Sequence, residues 1–149
     1  MSMHGYAEKS QFRELIEMLY NAEANGANMY YVMAYLAREK GWDDVAEACC
    51  ANAAEDAFHS GRYGAMLGKG ASDEDKFWKM LLGAYRLEVG AEAQLKAIIA
   101  KVRAAGENEL ADEIAKSIEE ENEHARRLER VFDAHGISWK EQISPDLPA

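Results

Sequence analysis

Threonine is absent from this chain, and proline occurs only twice, both times within residues 137–149. A sequence with no threonine and with 26 alanines among 149 residues is poor material for a sheet and good material for helix. Cysteine is almost missing too. Cys49 and Cys50 are adjacent, which builds neither a disulfide framework nor a Cys-x-x-Cys metal knuckle. Positive charge is in deficit, with 17 Lys and Arg against 27 Asp and Glu, a net charge of −10. That balance disfavours nucleic acid or an anionic membrane as partner. There is no apolar run of about 18 residues, the length a membrane-spanning helix needs. The first ten residues, MSMHGYAEKS, carry no apolar signal core. A reduced, cytoplasmic setting is the expectation. The length suits about one domain.

What is present is helical periodicity. Four segments carry apolar residues at alternating steps of three and four, the seam of a helix packed in a bundle. The first covers 8–40 and stops at Gly41, with an inner stripe of Phe12, Ile16, Leu19, Glu23, Gly26, Tyr30, Met33 and Ala37. The second covers 43–67, with Val45, Cys49, Asn52, Asp56, His59, Tyr63 and Met66 facing inward, and its first turn holds Asp43 and Asp44 where acids suit the helix dipole. The third starts near Ser72, taken as N-cap, and stops at Gly106; its stripe runs Phe77, Leu81, Ala84, Glu88, Ala91, Leu95, Ile98, Val102. The fourth covers 108–135 and stops at Gly136, with Leu110, Ile114, Ser117, Glu121, His124, Leu128 and Val131 inside. The expected fold is all-α, two helical hairpins joined in a four-helix bundle over 1–136, followed by an irregular tail over 137–149.

Each stripe is interrupted near its centre by acid or histidine: Glu23; Asp56 with His59; Glu88; Glu121 with His124. Buried carboxylates are costly unless paired or metal-bound. The register is the stronger signal. Glu23 to Asp56 is 33 residues and Glu88 to Glu121 is also 33, and each second-helix acid has a histidine three residues on. One shift of 65 carries Glu23, Asp56 and His59 onto Glu88, Glu121 and His124, and also Gly41 onto Gly106, Ala46 onto Ala111 and Arg62 onto Arg127. The chain is an internal repeat of two hairpins. An acid and an imidazole at i and i+3 share a helix face, so together they can hold a metal. An acid from the facing helix completes one half-site, and the second hairpin supplies the other. Four carboxylates match the charge of two divalent ions. The alternative for the six residues is solvated acids and two core histidines. Glu55, four residues before His59, is a possible substitute for Asp56.

The order Glu23, Asp56-x-x-His59, Glu88, Glu121-x-x-His124 resembles the ferritin-like di-iron carboxylate superfamily. The spacings, with Tyr30-Tyr31 seven residues after Glu23, look most like rubrerythrins, over nearly the whole chain. The resemblance implies two metal ions per site, iron in the family, with Glu23, Asp56, His59, Glu88, Glu121 and His124 as ligands and Tyr30 hydrogen-bonded to a ligand carboxylate. Manganese and zinc suit the same donors. It implies reduction of hydrogen peroxide or dioxygen. Three departures stand out. Asp56 replaces a glutamate and is one methylene shorter. Ala91 stands where rubrerythrins carry an extra glutamate, with Glu92 one residue away. There is no four-cysteine rubredoxin domain, so electrons must come from a separate donor protein.

In this superfamily the second and third helices run parallel. Six residues, 68–73, then have to cross the bundle; extended, they reach roughly 20 Å against a gap of roughly 35 Å. Either the second helix unwinds early at Gly61 and Gly64, or the third packs in a partner chain. The expectation is a homodimer, with a domain swap as the second way to close the gap. Two rival readings are an iron-binding protein without turnover and a helical interaction module with a vestigial site.

Overall fold

A computed structural model describes residues 2–143. Five α-helices follow in order, α1 Arg13–Glu39, α2 Asp43–Met66, α3 Glu74–Ala104, α4 Asn108–Ala115 and α5 Ser117–His135, then a 3-10 turn over Lys140–Ile143. The described residues contain no strand, and none of these helices is long and apolar enough to cross a membrane. Gly41, Gly106 and Gly136, the expected stops, have φ of 70°, 88° and 66°. A side chain would be strained there, so glycine ends each helix. Packing divides the chain into two compact units, Met1–Ser72 and Asp73–Ala149.

In the first unit α2 folds back along α1. Their contact runs through small residues at every seventh position: Ala27 and Ala34 of α1, and Ala46, Ala53 and Ser60 of α2, all buried. The Ser60 hydroxyl donates to the Tyr20 carbonyl at 2.9 Å. Such a seam lets backbones approach closely but encloses little apolar volume. Leu15, Met18, Met29, Val32 and Met33 stay exposed. The first helix begins at Arg13, later than the expected residue 8, because the segment before it has another task. Gly5 N–H donates to the Ala65 carbonyl at 2.9 Å and Ala7 N–H to the Met66 carbonyl at 2.8 Å. These are carbonyls of α2's last turn, which has no intrahelical donors for them. The α2 helix stays continuous through Gly61 and Gly64 to Met66.

The second unit packs α3 against α4 and α5. Its core is aromatic: Tyr85 and Phe132 are fully buried and meet edge to face at 5.7 Å, with Trp78, Leu82, Ile137 and Trp139 packed around them. Asp73, not Ser72, caps α3, its carboxylate accepting from Lys76 N–H at 3.0 Å. The fourth expected helix is interrupted once: Lys116 N–H reaches the Glu113 carbonyl at 3.3 Å, an i−3 contact that tightens one turn. Of the expected irregular tail, Ile137 and Trp139 join this core, and residues 144–149 lie outside the described ones.

The expected inner stripes need one systematic correction. Val45, Asn52, Leu110 and Val131 are exposed, whereas Ala46, Ala53, Ala111 and Phe132, each one residue later, are buried. On the first helix Tyr30 and Met33 are exposed and Ala34 is buried, while Ala37 of the expected stripe is buried as expected. The line of contact between α1 and α2 thus lies one residue, about 100° of helix, from the stripe that carries the acids. There small residues make the closest helix approach and larger side chains are left on the flank, whereas the second unit closes on Tyr85 and Phe132.

Candidate metal centre

Glu23 lies mid-way along α1, and Asp56 and His59 face it from α2 one helical turn apart. One ligand atom from each of the three falls within 4.8 Å of the others. His59 Nδ1 stands 3.7 Å from Glu23 Oε2. In the second unit Glu88 of α3 meets Glu121 and His124 of α5, one ligand atom of each again lying within 4.8 Å of the others. There His124 Nδ1 is 3.3 Å from Glu88 Oε2 and 3.5 Å from Glu121 Oε2. The six residues singled out by register therefore assemble as two triads of two carboxylates and one imidazole. Glu55 is exposed and belongs to neither.

The donors fit a divalent metal. Ligand atoms about 2.0–2.2 Å from one ion lie at most ~4.4 Å apart, so small side-chain rotations suffice to close either triad. The imidazoles are more open than Glu23, Glu88 and Glu121, His59 at 41% and His124 at 44% of side-chain exposure. Each half-site lies on the flank of its hairpin, beside the buried seam.

The shortened acid has a structural counterpart that the sequence reading passed over. A Cβ built on Gly26 would stand 2.8 Å from Asp56 Oδ2. Glycine at this position lets the Asp56 carboxylate lie against α1. In the second half the shift of 65 puts Ala91 opposite the longer Glu121. The Gly26–Asp56 approach is visible only once both helices of the first unit are placed.

Around the second triad the polar residues are committed elsewhere. Asn122 Nδ2 donates to Glu92 Oε2 at 3.0 Å, and Lys96 also pairs with Glu92. The Lys96 ammonium first, then Asn122, holds the Glu92 carboxyl below its ordinary value. Glu123 accepts from Arg130 at 2.7 Å and from Arg126 at 2.9 Å, and these two guanidinium groups pull its carboxyl down to about 2. In the first unit Tyr30 is 37% exposed, and no hydrogen bond joins it to Glu23, Asp56 or His59. Asn52 is also exposed. Cys49 and Cys50 are half-buried free thiols, and the Arg38 guanidinium donates to Cys50 Sγ at 3.7 Å.

Comparison with family models, with curated proteins and with solved structures gave no match.

Proposed function

We propose that the two triads join as one dinuclear metal centre in a ferritin-like four-helix bundle, and that the protein is a rubrerythrin-like oxidoreductase. What supports the reading is the repeated triad: two carboxylates and one imidazole, at corresponding positions of two hairpins, with 65 residues between each pair of equivalents. Exposed acids alone are commonplace. Two acid-x-x-histidine pairs, each opposed by an acid from the preceding helix, are not.

Glu23, Asp56 and His59 hold one ion, and Glu88, Glu121 and His124 the other. The four carboxylates would balance the charge of two divalent ions, with the two imidazoles as neutral donors. Iron held there would supply Lewis acidity and electrons for reducing hydrogen peroxide or dioxygen. The protein's part is to fix six donors and to exclude bulk water, which the half-exposed imidazoles require the other hairpin to do. The exposed apolar flank of α1 calls for the same cover. Cys49 and Cys50 form no iron–sulfur motif, so within this chain no second redox centre is placed to re-reduce the metals, and a donor protein would do so.

The bundle forms between two chains. α2 keeps its length to Met66 and α3 starts at Glu74, so the short connection is not lengthened by unwinding, and a domain-swapped homodimer satisfies it. A monomer by analytical ultracentrifugation at micromolar concentration refutes this arrangement.

Elemental analysis of protein grown with iron and manganese tests the centre. The expected result is two metals per chain, falling to one in His59→Ala and in His124→Ala. A folded helical chain that takes up no metal overturns the reading. Two irons without peroxide consumption in the presence of a reductant would replace the oxidoreductase by an iron-binding protein.

A further inference from the structure

Tyr85 stands one helical turn before Glu88 on α3, on the same side of the helix. It is fully buried, and its hydroxyl donates to Glu129 Oε1 at 2.9 Å. Its ring centroid lies 5.7 Å from Trp139, a half-buried residue whose indole N–H donates to Asp133 at 2.8 Å. A buried phenol that loses an electron becomes a strong acid. It can be oxidised at moderate potential only if an acceptor stands ready to take its proton, and Glu129 Oε1 already accepts its hydrogen bond.

The internal repeat supplies the comparison. Shifted by 65, Tyr85 corresponds to Tyr20 and Glu129 to Gly64. Tyr20 therefore has no carboxylate at that position; a Cβ on Gly64 would already stand 3.1 Å from its ring. Instead the Lys69 ammonium lies over the Tyr20 ring at 4.9 Å, and a cation on a π-face opposes electron loss. The same ring position has a proton acceptor in one half and a cation in the other. Lys140 also lies over Trp139, 5.7 Å from its centroid, so an oxidising equivalent shared between the two rings settles on Tyr85.

We propose that Tyr85 is a redox-active tyrosine, a one-electron relay beside the Glu88 triad, with Glu129 as its proton acceptor. In the step the phenolic O–H bond breaks, the proton passes to Glu129 Oε1, and one electron leaves for a one-electron oxidant. That oxidant, which rests on the function proposed above, would be the metal centre carrying one oxidising equivalent beyond its resting ferric level, taken from excess hydrogen peroxide or from dioxygen. The phenoxyl is restored by one electron from the external donor protein, through the Trp139 side, as the proton returns from Glu129. Burial and the Glu129 carboxylate both hold the phenol well above its ordinary pKa, so the proton leaves together with the electron. The tyrosine's competence does not depend on metal.

Pulse radiolysis of the metal-free full chain with azide radical, a tryptophan-selective oxidant, separates the two ideas. The expected result is tryptophan radical converting to phenoxyl at a rate independent of protein concentration. Tyr85→Phe abolishes that phase, and Tyr20→Phe leaves it unchanged. Glu129→Gln keeps a hydrogen-bond acceptor but takes no proton, and slows the phase by roughly a hundredfold, the low end for a positioned proton acceptor. The same kinetics in Tyr85→Phe or in Glu129→Gln overturn the proposal. In a second arm, iron-loaded reduced protein is mixed with hydrogen peroxide without donor and freeze-quenched for electron paramagnetic resonance. A phenoxyl signal that narrows with ring-deuterated tyrosine and vanishes in Tyr85→Phe supports the relay. Iron uptake with no such radical overturns it. Radiolytic conversion in a chain that binds no iron overturns the dinuclear reading and leaves the tyrosine's redox competence standing.

Discussion

Gly26→Ala separates the fold from the site. Alanine is favoured over glycine in a helix interior by about 0.8–1.0 kcal/mol, and Gly26 lies inside α1. Against that gain, the new Cβ would sit 2.8 Å from Asp56 Oδ2. The crowded atom is the free end of a short side chain, not backbone, so the relief is a rotation of Asp56. Held off its rotamer, that side chain costs about 0.5–1.5 kcal/mol. The net change in stability is within roughly 1 kcal/mol of zero, so the urea midpoint of the metal-free protein barely moves. The metal reports differently. Asp56 leaves its place beside His59, and one of the two metals is held at least about tenfold more weakly, the scale on which disturbed metal sites respond. Competition against a chelator measures this. Gly83→Ala is the control, because a Cβ there meets nothing within 4 Å; it adds stability and leaves both affinities alone. Unchanged metal affinity in Gly26→Ala would refute the assignment of Asp56 as a ligand from its present position. A loss of several kcal/mol would instead mean that the α1–α2 seam, not a mobile carboxylate, fills that space.

Two further outcomes are expected. Phe132→Ala empties a fully buried site between Trp78 and Tyr85 and lowers stability by about 3–5 kcal/mol, read from chemical denaturation; a change under about 1 kcal/mol would show that the aromatic cluster is not the core of the second unit. Acid titration followed by NMR at the Glu123 carboxyl carbon finds Glu123 ionised well below the ordinary glutamate value of about 4.3. Its carboxyl is depressed to about 2 by Arg130 and Arg126, so what this network contributes is present above the ordinary value and is lost only as pH falls through about 2. Titration of Glu123 at the ordinary value would refute the Arg126–Glu123–Arg130 network.

Much of the candidate site was legible because metal ligands on helices obey a simple spacing. Residues i and i+3 share a face whatever surrounds them, so Asp56 with His59 and Glu121 with His124 could be paired from the sequence, and the shift of 65 brought Glu23 and Glu88 to them. The choice between Asp56 and Glu55 needed the facing helix. So did the Gly26 gap and the Tyr85–Glu129 hydrogen bond, which joins residues 44 apart. Tyr20 and Tyr85 are equivalent in the sequence, and nothing in their local pattern says that one meets a carboxylate and the other an ammonium.

The sequence by itself determined that the chain is helical, where glycines end three of the helices, and which six residues share a register. Those properties are local or periodic, and they follow from backbone propensity and a 3.6-residue turn. Only the tertiary structure decided which side of each helix is the seam. A stripe of alternating threes and fours identifies a face worth covering but not what covers it. Ala27, Ala34, Ala46 and Ala53 outcompete the larger side chains for the contact within the first hairpin because small residues allow the closest backbone approach. That packing choice leaves Glu23 and Asp56 on the flank, beside apolar residues that α1 and α2 alone do not bury.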